Sequence, residues 1–200
     1  MQKANTSTRK FFHIVFDIIF IVGLKNDVEL LYFSSASMLY VLLIMEIVRV
    51  LNMPPLARYI DQSFNTFRDE KDAGIITVTH VYLLIGICVP LWIYPSSNNI
   101  TIHTASGLIA AGFGDTAAAF FGSRYGKHKW PSSQKTFEGS LAAFVSQVIA
   151  SLFLFSYLNL RFSFNEIMAI LLAALFTCVV EAVTQQIDNL LIPLYFNLRK

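Results

Sequence analysis

Apolar residues do not alternate along this chain with the two-residue period of a half-buried strand. They run in long blocks separated by short polar connections, and each block approaches the roughly 20 residues that a helix needs to cross the hydrocarbon core of a bilayer. Six such blocks, residues 11–24, 30–48, 78–94, 102–121, 141–158 and 167–183, predict an all-α, polytopic membrane protein of about six transmembrane helices. The first block is short and contains His13 and Asp17, which suits a tilted or interfacial helix as well as a span. The pattern persists almost to the C-terminus, unlike a cleavable signal peptide followed by a polar mature chain, so residues 1–200 read as one membrane-embedded module.

Between the second and third blocks, residues 52–77 carry Leu56, Tyr59, Ile60, Phe64 and Phe67 at helical spacing, with Asp61, Arg68, Glu70 and Lys71 among them. That pattern predicts an amphipathic helix on the membrane surface. No internal repeat or low-complexity tract interrupts the chain.

Composition agrees with the pattern: 55% of the 200 residues are hydrophobic and 14% charged, where a soluble domain carries about a quarter charged residues. A net charge of +2 gives no basis for nucleic-acid binding, so the positions of the cations matter more than their number. Lys3, Arg9, Lys10, Arg49, Arg58, Arg68, Lys71, Arg124, Lys127, Lys129, Lys135, Arg199 and Lys200 fall on one side of the six-span map, and only Lys25 and Arg161 on the other. The positive-inside rule therefore predicts that both termini and the second and fourth connections are cytosolic. Cys88 and Cys178 lie deep in apolar blocks with no neighbouring ligand residue, against both a disulfide and a zinc site.

The candidate chemistry clusters on the predicted cytosolic face. Asp115 stands inside the fourth block among Gly112, Gly114 and Ala117 to Ala119, and an acid in a span marks function by default; the bland alternative is close helix packing through the small residues. The cytosolic loop at 122–140 adds basic residues and reaches the fifth block through Lys135, Thr136 and Glu138. Thr136 can cap the following helix and Glu138 suits its dipole, whereas capping gives no reason for Lys135. A helix N-terminus with free N–H groups, a lysine beside it and an acid across the loop suits nucleotide phosphates and magnesium. Gly122 to His128 misses the phosphate-loop pattern, lacking one residue between the glycines and the hydroxyl after the lysine. A third cluster, Glu181, Gln185 and Asp188, follows helical spacing at the end of the sixth block.

Taken together, Gly114-Asp115-Thr116-Ala117-Ala118, Lys135-Thr136-Phe137-Glu138-Gly139 and the stretch from Glu181 to Pro193 resemble the CTP-dependent polyprenol kinases, and the dolichol kinases among them. Arg9-Lys10-Phe11-Phe12-His13, the acids Asp69 to Asp72 and the run from Thr79 to Leu84 extend the resemblance over nearly the whole chain. Members usually carry further spans ahead of this module. CDP-diacylglycerol synthases have a related loop, but they end in an Asp-Arg-x-x-Asp-like signature where this chain has Asp188-Asn189.

The resemblance implies transfer of the terminal phosphoryl group of CTP to dolichol, giving the dolichyl phosphate used in protein glycosylation, at the cytosolic face of the endoplasmic reticulum membrane. It implies Asp115 and Glu138 as magnesium ligands. Gly114, Thr116, Gly122, Gly126, Lys127, Lys129, Lys135, Thr136, Gly139 and Asn189 would form the nucleotide site. Glu138, Glu181 or Asp188 would complete the metal shell or accept the alcohol's proton. Two alternatives stay open: a CTP-dependent kinase of phytol or diacylglycerol, and a non-catalytic transporter or membrane subunit with Asp17, Asp115 and Glu181 along a pathway.

Overall fold

The computed structural model describes residues 6–65, 79–93, 101–131, 133–160 and 163–183, and among these every extended element is helical. In chain order they are α1 (Thr6–Asn26), α2 (Val28–Val50), α3 (Leu56–Asn65), α4 (Thr79–Ile93), a 3-10 turn (Ile102–Ala105), a π-helix (Leu108–Gly114), α5 (Asp115–Tyr125), α6 (Phe137–Tyr157) and α7 (Phe164–Val183). A helix does form within 52–77: it is α3, whose Ala57, Ile60 and Phe64 are buried while Leu56 and Tyr59 are exposed.

The ends of these helices follow from local side-chain chemistry. Asp27 accepts the Leu30 N–H at 2.8 Å and starts α2. At the start of α7, Ser163 and Glu166 exchange reciprocal bonds, from the Ser163 N–H to Glu166 Oε2 at 2.9 Å and from the Glu166 N–H to Ser163 Oγ at 3.3 Å. Both α2 and α6 stop on an asparagine in the left-handed region, Asn52 at φ 56° and Asn159 at φ 54°. The next N–H then folds back over the last turn, from Met53 to the Val48 carbonyl and from Leu160 to the Phe155 carbonyl.

Among the described residues, three helices, α2, α6 and α7, are long and apolar enough to cross a membrane. Only 17% of the most apolar stretch of α2 is buried, so Leu30, Phe33, Val41, Ile44 and Ile47 face outward together, an arrangement unfavourable in water and ordinary in lipid. α4 falls within the predicted third span. The predicted fourth span differs: it is divided into the 3-10 turn, the π-helix and α5.

Phe20 and Leu24 of α1, Ile87 and Leu91 of α4, Leu108 and Ile109 of the π-helix, and Leu154 and Phe155 of α6 form the main apolar core. It fills one end of the bundle. Near the start of α6 the core thins to Ala118, Ala143 and Cys178, and these small side chains bring α5, α6 and α7 close together.

Candidate functional site

The site is built on the irregular fourth segment. In the π-helix the ladder reaches back five residues, so the Asp115 N–H bonds the Ala110 carbonyl, and Ser146 of α6 donates to the Phe113 carbonyl at 2.9 Å. Glycines let three neighbours close in on this segment. A Cβ at Gly107 would overlap the backbone of α4, one at Gly112 would overlap the Asp17 carboxylate of α1, and one at Gly114 would lie 2.6 Å from Gln147 Nε2 of α6. The segment is thereby locked just before Asp115.

From there α5 presents different faces to different partners. Asp115, Ala118 and Gly122 share a stripe by their spacing; Ala118 packs on Ala143 and Cys178, and Gly122 lies against Thr136 and Gly139. Around the helix, Thr116, Ala119, Phe120 and Ser123 line a groove shared with Ile14, Asp17 and Ile18 of α1.

The loop between α5 and α6 closes as a small clasp. Lys129 and Thr136 form an antiparallel bridge, the Trp130 N–H bonds the Lys135 carbonyl at 2.9 Å, and the Phe137 N–H bonds the His128 carbonyl at 2.9 Å. The Trp130 ring stacks on Phe137 at 3.9 Å between centroids, and its Nε1 donates to Ser140 at 3.0 Å. Thr136 caps α6 through the Gly139 N–H at 3.2 Å, as its position predicts. Two N–H groups of the first turn of α6 are thus engaged within the chain, which narrows the open helix end expected from sequence.

The predicted residues separate into groups. Lys135 Nζ lies 3.3 Å from Glu181 Oε1 of α7, and Glu181 is buried, so a cation and an acid 46 positions apart meet beside the Asp115 stripe. Thr136 gathers Gly122, Gly126 and Gly139 around its side chain, which gives all three glycines a packing reason. Glu138 turns to the clasp, accepting His128 Nδ1 at 2.7 Å and the His128 N–H at 3.2 Å. Lys127 is exposed, and the exposed Lys129 donates to Gln134 at 3.0 Å. Asp188 and Asn189 lie outside the described residues, as do Asp69 to Asp72.

Gln147 is the residue that sequence reasoning missed. Its amide is buried against Gly114 and accepts the Thr177 hydroxyl at 2.8 Å, tying α6 to α7 behind the π-helix. A lone glutamine inside an apolar block was its only signal. Among the described residues, no group of three or more His, Cys, Asp or Glu converges as a preformed metal cage.

Residues 1–159 match the family model described as dolichol kinase. The chain is 37% identical to the dolichol kinase of Mus musculus, an alignment covering 97% of this chain and 38% of the relative. It is 36% identical to that of Homo sapiens with the same coverage, and 34% identical to that of Saccharomyces cerevisiae over 96% of this chain and 36% of the relative. The chain therefore spans less than two-fifths of the length of these relatives. No solved structure matches it.

Proposed function

The chain belongs to the dolichol kinase family, and from that premise we propose that it transfers the terminal phosphoryl group of CTP to the hydroxyl of dolichol. The product would be dolichyl phosphate, the carrier for protein glycosylation, and the site would face the cytosol from the endoplasmic reticulum membrane. One observation carries the reading: the Lys135–Glu181 meeting beside the stripe that begins at Asp115. It joins the Lys135 loop to the last helix at one mouth of the bundle.

Phosphoryl transfer asks a protein mainly to align the reactants and to stabilise charge spreading over the phosphate oxygens. Lys135, held by Glu181, supplies a fixed positive charge for those oxygens, with Lys127 and Lys129 on the clasp as outer contacts. Nucleotide-bound magnesium needs only one or two carboxylates besides phosphate and water, so the donor set fits with Asp115 as principal ligand. When bound, it would neutralise charge on the phosphates. Glu138 in this arrangement holds the clasp through His128, and Glu181 is the nearer candidate to receive the alcohol's proton.

The donor assignment predicts that CTP outperforms ATP by about tenfold or more in kcat/KM, a difference of about 1.4 kcal/mol. Turnover of labelled CTP and ATP on dolichol in detergent tests this, and equal rates would remove the CTP preference while leaving a lipid kinase.

We further propose six membrane crossings with both termini cytosolic. In a background lacking Cys88 and Cys178, cysteines at Lys127 and Asn26, both exposed, are expected to react with an impermeant maleimide from opposite faces of sealed microsomes. Labelling of both from one face would overturn that topology.

A further inference from the structure

An amide buried in the middle of α6, a helix apolar enough to cross a membrane, is unfavourable, and close packing alone would be met as well by a methionine of similar size. Gln147 therefore calls for a reason beyond packing. Its amide oxygen meets the Thr177 hydroxyl of α7 at 2.8 Å, and its amide nitrogen lies 4.0 Å from Cys178 Sγ. The side chain rests on the bare face of Gly114, where a Cβ would come within 2.6 Å of Nε2 and 3.1 Å of both Cδ and Cγ. Ser146, the preceding residue, donates to the Phe113 carbonyl at 2.9 Å. Two consecutive residues of α6 thus hold the last turn of the π-helix.

The two contacts of this side chain lead to the two charged halves of the proposed site. Gly114 directly precedes Asp115, and Thr177 precedes Glu181 by one helical turn, so Thr177 and Glu181 share a face of α7. We propose that Gln147 is a positioning residue that sets the Asp115 end of α5 in register with the Lys135–Glu181 pair. It acts through Gly114 and Thr177 and not on the reactants. A hydrogen bond fixes both the rotation and the height of α7 against α6, whereas an apolar contact lets helices slide, and a misplacement of about 1 Å can lower turnover about a hundredfold. The assignment rests on the kinase reading above and adds what keeps the magnesium ligand and the phosphate-binding cation aligned.

The test uses the full 200-residue chain in mixed detergent–lipid micelles. Its binding arm follows the manganese complex of cytidine β,γ-methylene triphosphate by water-proton relaxation, and its turnover arm titrates magnesium with CTP and dolichol. Gln147→Met keeps the volume and removes the amide, while the Thr177 hydroxyl retains the Ala174 carbonyl at 2.9 Å, so this variant is expected to fold. It is expected to weaken manganese-complex binding about tenfold, to raise the magnesium needed for half-activation about as much, and to lower kcat about tenfold to a hundredfold, with the KM for dolichol within about twofold of wild type. Thr177→Val is expected to reproduce these changes and Thr177→Ser to reverse them. Ser151→Ala is the control, since Ser151 is buried one turn further along α6 and donates to the Gln147 backbone carbonyl at 2.8 Å; it is expected to leave manganese-complex binding unchanged. Should Gln147→Met fail to fold, the two Thr177 variants decide. Equal affinity in wild type, Gln147→Met and Thr177→Val, absence of binding in all three included, would overturn the positioning role, as would an equal loss in Ser151→Ala. Manganese-complex binding that depends on Gln147, without any turnover of dolichol, would support the positioning role while removing the kinase reading.

Discussion

Asp115→Asn and Lys135→Met are each expected to lower kinase turnover by about a hundredfold or more while leaving membrane insertion intact, because each removes one charge at nearly constant volume. The two variants fail for different reasons. Asparagine is a weaker magnesium ligand than aspartate, so excess magnesium is expected to recover part of the Asp115→Asn activity. Lys135→Met removes charge from the phosphates and also takes a partner from the buried Glu181. Loss of one member of a buried pair destabilises in its own right. The double variant Lys135→Met/Glu181→Gln separates these effects, since it is expected to recover thermal stability without recovering turnover. Lys25 is the control: its ammonium lies 3.9 Å over the Tyr157 ring, at the ends of α1 and α6 away from the clasp. Lys25→Met is expected to cost about 0.5–1 kcal/mol and no activity. Near-normal turnover in either site variant at saturating substrates, or equal damage from Lys25→Met, would refute the assignment.

Gly126→Ala is expected to be the most damaging single-methyl change in the loop. The backbone at Gly126, with φ −64°, suits any residue, so the constraint is space and not conformation. A Cβ there would overlap the Gly122 carbonyl and sit 2.7 Å from Thr136 Oγ1, the group that caps α6. Relief requires moving both the Gly122 carbonyl and Thr136, which combines a lost cap of about 1 kcal/mol with overpacking of about 1–3 kcal/mol. The melting temperature in detergent is expected to fall by roughly 4–10 °C, and the KM for CTP to rise about tenfold as Lys135 is displaced with the clasp. Gly122→Ala provides the comparison, because its Cβ would meet Thr136 Oγ1 at 3.1 Å, where a small shift suffices. Equal tolerance of the two alanines would show that the clasp is not held by this contact.

The helices were legible because their signals are local. Blocks of apolar residues placed α2, α6 and α7, helical spacing placed α3, and a threonine before Phe137 marked the start of α6. The π-helix left no comparable trace. Its one extra residue per turn shifts the register by too little to be separated from an α-helical pattern in a segment where most residues are apolar or glycine. Site residues divided the same way. Asp115 and Lys135 stood out as charges beside small residues or a helix start, but the meeting of Lys135 with Glu181 depends on how α6 and α7 pack. Glu138 shows the opposite limit. Its sequence position suits a metal ligand, and only the folded clasp reveals His128 as its partner. Glycines that read as a nucleotide cradle proved also to be the places where α5, α6 and the loop touch.

The stacking of Trp130 on Phe137 has an optical consequence. The chain contains two tryptophans: Trp130 in the clasp, and Trp92, whose indole donates to Ser35 at 2.9 Å between α2 and α4. With Trp92 replaced by phenylalanine, the emission of the remaining indole would come from the loop that carries Lys135. The protein thus carries an intrinsic fluorophore at the place where nucleotide would arrive, so opening of the clasp could be followed in real time without attaching a dye.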